Sequence, residues 1–249
     1  MILTGHQPNY LPYPGFFHKI LEADQFLIVD TVQFVKRGAF GWIHRNRIRT
    51  RTEEGWSWLT VPVLTHGKYF QTIQETRIDN RLPWRRKHWR TLRDAYHKTP
   101  GFAEFGPTIE KIYEREWDSL SSLNETLIRE ILAMLGVSRP VLRLSDRPVP
   151  GKASELIVNF CKELGASEYL SGVHGRDYLD LELFDRAGIK LSFQEFRCPE
   201  YPQAVSGPFL ANLSVVDLLF CCGQESLKTI ETGTLDPTLC GAELCEEFA

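Results

Sequence analysis

Residues 1–30 are MILTGHQPNYLPYPGFFHKILEADQFLIVD, and this stretch decides the fold. Met1–Thr4 and Phe26–Val29 are short apolar runs typical of buried strands, and Gly15–Glu22 between them has the apolar spacing of a helix. Strand, helix and strand in this order predict a βαβ unit with parallel strands. The polar, proline-rich loop that starts at His6 then follows the carboxyl end of the first strand, where open α/β sheets bind ligands.

The rest of the chain extends this unit into a Rossmann-like α/β fold, a mainly parallel sheet with helices on both faces. A second βα pattern follows the hinge-like stretch at residues 147–151. We predict a single α/β domain over residues 1–232, with a tail at 233–249. Within it we expect a β-rich insertion at about 33–80 and a helical segment at about 82–136.

Individual elements follow from apolar spacing and turn residues. In the insertion we expect strands at Trp56–Val63 and Gln71–Ile78 and a mobile loop near Val35–Trp42. In the helical segment we expect helices at Leu82–Thr99, Pro107–Trp117 and Leu120–Leu135. The second half predicts Ser154–Leu164 and Tyr178–Ala187 as helices, Glu168–Leu170 and Ile189–Phe196 as strands, and Leu213–Phe220 as a final helix.

Composition narrows the class of protein. The net charge of −3 makes nucleic acid an unlikely partner, and no apolar run is long enough for a membrane span. No secretory signal opens the chain, so we expect a cytoplasmic protein. The six cysteines include no CxxC pair, and nothing in the sequence points to a zinc or other metal site. Neither GxGxxG nor a P-loop is present, so the sequence names no NAD or other cofactor.

The loop after the first strand supplies the first candidate residues. His6 can act as an acid or a base near neutral pH, and Gln7 and Tyr10 follow it. Asp30 ends the second strand and is therefore expected beside His6 at the same edge of the sheet. The alternative is that His6 only holds the loop by bonding to backbone carbonyls.

Arginine occupies every second position from Arg45 to Arg51, so an extended backbone would place the four guanidinium groups on one face. Such a face can hold a pyrophosphate or a phosphopantetheine arm, with Arg45 and Asn46 as the best candidates. In a transferase, Arg45 and Arg47 would hold the phosphate of the donor. The alternatives are a solvated edge strand and a nucleic-acid surface. His88 lies in an aromatic helical stripe, where a histidine is more often part of the core.

Two later loops repeat the theme of polar residues after a strand. One is a glycine-containing turn with Ser171, Gly172, Tyr178 and Asp180, in a setting where backbone amides can bind anions. The other carries Tyr201 and Gln203 between prolines. Because these loops and the His6 loop follow strands of one predicted sheet, we expect them to converge on a single site.

Eleven short segments, spread in order over about residues 1–223, carry a resemblance to a known family. They are His6–Pro12, Gly15–Lys19, Ala23-Asp24, Asp30–Phe34, Arg45–Ile48, Trp58–Val63, Trp84–His88, Tyr169–Gly172, Tyr178–Asp180, Tyr201–Gln203 and Ser214–Leu219. Together they resemble the WbqC-like family. The resemblance implies a bacterial protein encoded with enzymes of O-antigen or other surface-polysaccharide synthesis, and it adds Lys19 and Gln33 to the candidates.

A more distant similarity concerns the HUP nucleotidyltransferase-like enzymes, such as pantothenate synthetase. Their HxGH motif, which binds triphosphate, would correspond to His6–Asn9. Here Asn9 replaces the second histidine and Pro8 the glycine that admits the phosphate. These two departures argue against adenylyl transfer even if the fold is shared.

Three functions remain open. The first is a transferase that moves an acyl or aminoacyl group, from a donor such as an acyl or peptidyl carrier-protein thioester, to the amine of an amino sugar or sugar nucleotide. The others are nucleotidyl transfer or ATP-dependent activation on a HUP-like sheet, and a non-catalytic module that binds a nucleotide sugar or a partner enzyme. For the transferase, His6 is the expected base, and Asp30 orients His6 or binds the amine. Asn46 or the Ser171-Gly172 amides are the expected oxyanion donors. The candidate substrate-binding residues are Gln7, Tyr10, Lys19, Gln33, Arg45, Arg47, His88, Ser171, Gly172, Tyr178, Asp180, Tyr201 and Gln203.

Overall fold

The computed structural model describes residues 1–37, 41–147 and 149–233. Positions 38–40, 148 and 234–249 lie outside the described residues, and with them parts of the predicted mobile loop and hinge-like stretch and nearly all of the predicted tail. The strands are β1 (Ile2–His6), β2 (Gln25–Ile28), β3 (Arg45–Arg49), β4 (Trp56–Thr60), β5 (Val141–Arg143), β6 (Glu168–Ser171) and β7 (Lys190–Phe193). The α helices are α1 (Pro14–Leu21), α2 (Trp84–Tyr96), α3 (Phe102–Glu114), α4 (Leu120–Met134), α5 (Ala153–Leu164), α6 (Leu181–Arg186), α7 (Val215–Cys222) and α8 (Ser226–Glu231).

Five strands form one parallel sheet in the order β5-β2-β1-β6-β7. In this Rossmann order the first strand lies in the middle, and the chain builds outward from it first on one side and then on the other. The Rossmann-like prediction is confirmed. β5 was not predicted, because it has only three residues and only Val141 among them is fully buried.

Side chains of a strand point alternately to the two faces of the sheet. Because these strands are apolar at successive positions, both faces of the sheet are apolar and are covered by helices. On β2, Phe26 and Ile28 belong to the larger apolar cluster, which includes α1, α4 and α7. Leu27 between them belongs to a second cluster, with Val158 of α5 and Phe184 of α6.

The loop from residue 7 to residue 13 is fixed in place by groups from distant elements. Three of its carbonyls accept hydrogen bonds: Pro8 from Asn124 Nδ2 at 2.8 Å, Leu11 from Asn46 Nδ2 at 2.6 Å, and Pro12 from Val215 N at 2.8 Å. Leu11 has a φ of 44°, which a bulky residue keeps only where its surroundings impose it. α1 then begins with Pro14, whose missing N–H costs nothing in the first turn of a helix.

The insertion contains one antiparallel hairpin, β3–β4, in which Arg47 pairs with Trp58. The strand predicted at Gln71–Ile78 is wrong, since this stretch forms only isolated bridges: Gln33 with Thr72, Val63 with Ile78 and Arg77 with Ser119. Ile73 and Ile78 are buried as a strand would bury them, but the backbone turns between them.

The three helices of the helical segment are present with shifted ends. α3 begins at Phe102, five residues before the predicted start, and keeps Pro107 inside it. The proline signal was misleading because one lost backbone bond is outweighed by burial of Phe105, Ile109 and Ile112 on the same helix. In the second half, the helix predicted from Tyr178 starts at Leu181, after a 3₁₀ helix at Val173–Asp177.

Candidate functional site

The strand order places the ligand crevice expected of this fold where β1 and β6 part. The two strands are paired up to Thr4 and Leu170, where Thr4 Oγ1 donates to the Leu170 carbonyl at 2.7 Å. Beyond this point β1 stays paired with β2 as far as His6, but its pairing with β6 stops. This is the topological switch point of the sheet, the place where Rossmann folds bind ligands.

Lys19 of α1 extends its amine into this crevice. Its side chain is 3% exposed, and Nζ donates to the Gly5 carbonyl at 3.0 Å. No carboxylate of the described residues forms an ion pair with it. Burial lowers the pKa of Lys19 from 10.5 to about 7, so near neutral pH the amine can both take up and release a proton.

The space beside Gly172, at the end of β6, is open on the Lys19 side. A methyl group added to Gly172 would meet only one described atom within 4 Å outside its chain neighbours, the Nζ of Lys19 at 3.9 Å. The backbone of Gly172 has φ −70° and ψ 164°, which any residue can adopt. The glycine is therefore not required by its backbone angles, and it leaves room for a ligand in front of the amine.

His6, the last residue of β1, has one ring nitrogen in use. Nδ1 lies 2.8 Å from the Gln7 carbonyl, which can only accept, so Nδ1 carries the proton and Nε2 presents a lone pair. Within the described ranges Nε2 has no hydrogen-bond partner. Burial and then the charge of Lys19 lower the pKa of His6 to about 3, so the ring is neutral at physiological pH.

Gln194 joins α1 to the end of β7 and was missed by the sequence analysis. Its Nε2 donates to the Gly15 carbonyl at 2.7 Å and lies 3.0 Å from His18 Nδ1, while its backbone N donates to the Ser171 carbonyl. The predicted strand at Ile189–Phe196 includes Gln194, whereas β7 ends at Phe193 and Gln194 is the first residue after it. Gln194 therefore sets the position of α1, and with it Lys19, against β6.

Asp30 and Asn46 lie elsewhere than the transferase interpretation required. Both oxygens of Asp30 accept from Ser145, from its N at 3.1 Å and its Oγ at 2.7 Å, and the described residues show no hydrogen bond between Asp30 and His6. Asn46 is 3% exposed and uses its amide on the Leu11 carbonyl and the Arg47 N–H. Each therefore fixes a loop, and neither is placed as an orienting group or an oxyanion donor for His6.

Tyr10 and His88 meet inside the larger apolar cluster. The Tyr10 hydroxyl lies 2.8 Å from His88 Nδ1 and also bonds to the hydroxyl of Tyr113. Tyr10 is fully buried and His88 is 7% exposed. The structure thus supports the core interpretation of His88, and it gives the same role to Tyr10.

Tyr201 and Gln203 donate hydrogen bonds to a buried carboxylate that was not among the residues selected from the sequence. Asp217 of α7 is fully buried and accepts from Tyr96 OH at 2.6 Å, Tyr201 OH at 2.8 Å and Gln203 Nε2 at 3.1 Å. The signal was available, since Asp217 is a charged residue inside the apolar run from Val215 to Phe220. Both loop residues are accounted for by this structural network.

The remaining candidates lie at several places. Ser171 is 3% exposed at the end of β6, beside the crevice, and Gln7 follows His6. Asp180 caps α6 by accepting from Leu183 N at 3.1 Å, and the nearby Tyr178 is 60% exposed. Gln33 lies in the insertion and donates to the Tyr69 carbonyl at 2.9 Å.

Arg45 and Arg47 point to one side of the β3–β4 hairpin, as the alternation predicted, with Asn46 and Ile48 buried on the other. They contact three tryptophans: Arg45 lies over Trp58 at 4.3 Å, and Arg47 lies 5.5 Å from Trp42 and 5.3 Å from Trp56. The hairpin therefore carries a second polar surface, made by side chains other than those of the crevice.

A groove of about 430 Å³ between α2 and α3 contains none of the predicted site residues. Its walls include Arg85, Trp89, Glu110 and Tyr113. We place the candidate site in the crevice, because perturbed amine and imidazole groups converge there and the groove has no such pair.

The described residues contain neither a candidate metal site nor a candidate membrane-spanning helix. No group of three or more His, Cys, Asp or Glu side chains in this part of the chain could hold a metal ion. None of the described helices combines the length and the apolarity needed to cross a membrane.

Two buried histidines outside the crevice make stability depend on pH. Burial lowers the pKa of His88 to about 4, and burial with the charges of Arg45 and Lys36 lowers that of His44 to about 4. Below about pH 6.5 the unfolded chain takes up protons that the folded chain refuses, so stability falls as pH falls. Between pH 7 and 5 we expect a loss of about 2 kcal/mol for each histidine.

Urea unfolding at pH 7 and pH 5 measures this loss. His88→Gln should remove its own share of about 2 kcal/mol, whereas the exposed His97, changed to Gln, should leave the difference as it is in the wild type. Equal losses in the wild type and the His88→Gln variant would contradict the assignment.

Comparisons with known proteins give the following. The model of the WbqC-like protein family matches residues 7–229. An uncharacterised protein of Mycobacterium tuberculosis, Rv1507c, is 35% identical over 221 residues, which cover 88% of this chain and 93% of that protein. No solved structure matches the chain.

Proposed function

Because the chain belongs to the WbqC-like protein family, we propose that it is a biosynthetic transferase that moves an acyl or aminoacyl group onto an amine. The amine of an amino sugar is the proposed acceptor, a carrier-protein thioester the proposed donor, and surface-polysaccharide synthesis the proposed setting. The observation that carries the proposal is the Lys19 amine with its lowered pKa beside a neutral His6, in a crevice that Gly172 leaves open.

The two side chains divide the proton transfer between them. A base works best when its pKa is near the operating pH, which favours Lys19 at about 7 over His6 at about 3. In our proposal His6 Nε2 accepts a hydrogen bond from the acceptor amine and orients it. The neutral Lys19 amine takes the proton that this nitrogen loses as it attacks.

The reaction is balanced by the thioester. The acceptor nitrogen forms a bond to the acyl carbon, the carbon–sulfur bond breaks, and Lys19 passes its proton to the departing thiolate. Once protonated, Lys19 is a buried cation beside the reacting carbonyl, where it stabilises negative charge on the oxygen. In this scheme Lys19 takes over the role first assigned to His6, and Asp30 and Asn46 have none in the chemistry.

Nucleotidyl transfer is the weaker alternative. HUP enzymes would bind phosphates at the start of α1, where helix N–H groups are free. Here an added methyl group on Gly15 would lie 2.7 Å from the Phe196 ring, so aromatic side chains fill the space that a phosphate would need. Pro14 also removes one of the N–H donors.

Mass spectrometry of mixtures of acyl-carrier thioesters or acyl-coenzyme A with amino-sugar nucleotides tests the proposal. We expect an amide product together with free thiol, and loss of that product in Gly172→Val, which fills the space before Lys19. Gly172→Ala, with the same backbone angles and a smaller group, should keep part of the activity. Failure of every donor–acceptor pair would contradict the transferase, and release of pyrophosphate from ATP would favour the HUP alternative.

A further inference from the structure

The outer face of the β3–β4 hairpin carries a cluster of indole and guanidinium groups in mutual contact. We call it the Trp–Arg face and define it by Trp42, Arg45, Arg47, Trp56 and Trp58. Besides the three cation–π contacts, Trp58 lies 5.3 Å from Trp42 and 5.6 Å from Trp56 between ring centroids. Trp58 is 36% exposed, so the Trp–Arg face is accessible from solvent at this residue.

Stacking uses the flat faces of the two arginines and leaves their in-plane N–H groups for other partners. Arg45 gives one of these to the protein, from Nε to the Gly41 carbonyl at 3.1 Å. The Nε of Arg47 is buried without any acceptor among the described residues. A buried donor left without an acceptor lowers the stability of the folded protein by about 1–3 kcal/mol. An acceptor atom of a bound ligand would remove this cost.

The two arginines also have no counter-charge within the described part of the chain. Arg129 and Arg143 show the contrast, since both are paired with the buried Glu125. Neither Arg45 nor Arg47 has a described carboxylate as an ion-pair partner. The two guanidinium groups lie two residues apart on one strand, and neither has an ion-pair partner among the described residues. They therefore make a local positive surface on a protein of net charge −3.

We propose that the Trp–Arg face binds a nucleoside diphosphate, with the phosphates on the N–H groups of Arg45 and Arg47 and the base stacked on the exposed indole of Trp58. Guanidinium groups bind phosphate oxygens bidentately, and indole rings stack on bases. A neutral sugar would use the indoles but not two cations, and a simple carboxylate would use the cations but not the indoles.

Single-stranded nucleic acid shares this chemistry but fits less well. Such a strand needs a positive groove that follows several nucleotides. Here Arg49, the next arginine on the strand, is 3% exposed and donates to the Val205 carbonyl, so of the three β3 arginines only Arg45 and Arg47 belong to the Trp–Arg face. A mononucleotide matches a surface of this size.

The inference deepens the proposed function and rests on it for one link, that the amino sugar reaches the protein attached to this nucleotide. Binding and chemistry are separable, because the two sites use different side chains. Lys19→Met should keep nucleotide binding and lose turnover, whereas Arg47→Gln should lose nucleotide binding.

Isothermal titration with UDP, dTDP, GDP and ADP tests the inference on the full-length protein. We expect at least one of them to bind, and we expect Arg45→Gln, Arg47→Gln and Trp58→Leu each to weaken that binding tenfold or more. Arg51→Gln is the matched control, since Arg51 is exposed beyond the end of β3 and should leave binding unchanged.

Further titrations separate the contribution of the base from that of the phosphates. Inorganic pyrophosphate should bind at least tenfold more weakly than the best nucleotide; equal affinity would overturn base stacking on Trp58. No binding of any nucleotide, or binding that is unchanged by Arg45→Gln and Arg47→Gln, would overturn the site. Tighter binding of a single-stranded oligodeoxynucleotide than of every mononucleotide would overturn the choice of ligand in favour of nucleic acid.

Discussion

Replacing Lys19 by methionine is expected to abolish turnover and to stabilise the protein at the same time. Methionine has a similar length and no charge, so it fits the buried position of Lys19 without the need to desolvate an amine. For most residues, loss of function accompanies loss of stability. The opposite pairing is expected where a protein keeps a costly group for its chemistry.

The size of the gain follows from the pKa of Lys19. A fall from 10.5 to about 7 means that the unfolded chain holds a proton that the folded chain binds weakly. Each pKa unit corresponds to about 1.4 kcal/mol, and the lost bond to Gly5 returns about 1 kcal/mol, so we expect a net gain of about 2 kcal/mol or more for Lys19→Met at pH 7. Turnover should fall by a factor of about 100 or more, the usual effect of removing an acid–base group.

Urea unfolding and product formation measure the two effects separately. Between pH 7 and 10 the stability advantage of Lys19→Met over the wild type should shrink, because the unfolded wild-type chain alone loses the extra proton on Lys19 over this range. The exposed Lys162, changed to Met, is the matched control and should alter neither quantity. A less stable Lys19→Met variant would mark the amine as structural, and unreduced turnover would remove Lys19 from the reaction.

Asp217→Ala is expected to destabilise the protein by roughly 4 kcal/mol, a large part of the 5–15 kcal/mol typical of a folded protein. The change leaves the Tyr96 and Tyr201 hydroxyls and the Gln203 amide without their buried acceptor. Each unpaired donor costs about 1–3 kcal/mol. Burial raises the pKa of Asp217, so removing the desolvated carboxylate returns part of the loss.

Thermal and urea unfolding of matched variants test this prediction. Tyr201→Phe removes one donor and keeps the acceptor, so it should cost only about 1 kcal/mol and remains measurable even if Asp217→Ala does not fold. The exposed Asp185, changed to Ala, should have almost no effect. A loss of under 1 kcal/mol for Asp217→Ala would show that the three donors find other partners.

The parts of the fold that the sequence predicted are those with strong local signals. The apolar run at Phe26–Val29 and the packing residues of α1 define the opening βαβ unit without reference to the rest of the chain. β5 lacks such a signal, because it becomes a strand only by pairing with β2. At Gln71–Ile78 the spacing of apolar residues was misleading, since burial of Ile73 and Ile78 does not require an extended backbone.

The site was harder to predict because most of its geometry is non-local. Lys19 is a cation in a short, mostly apolar helix, and that much is visible in the sequence. The crevice around it depends on where β6 leaves β1, which no local pattern states. Conversely, Tyr10, Asn46, Tyr201 and Gln203 looked functional because they are polar and lie in rigid loops, yet each is engaged in holding its loop.

The three bonds that pin the loop after β1 limit how far this protein can be shortened. The donor to Pro8 lies 116 positions along the chain, and the donor to Pro12 comes later still. In a fragment that ends after the opening βαβ unit, the loop carbonyls would lose their hydrogen-bond donors and the ring of Tyr10 would be exposed to solvent. Truncation should therefore give an aggregating peptide, and a usable minimal form has to retain α7.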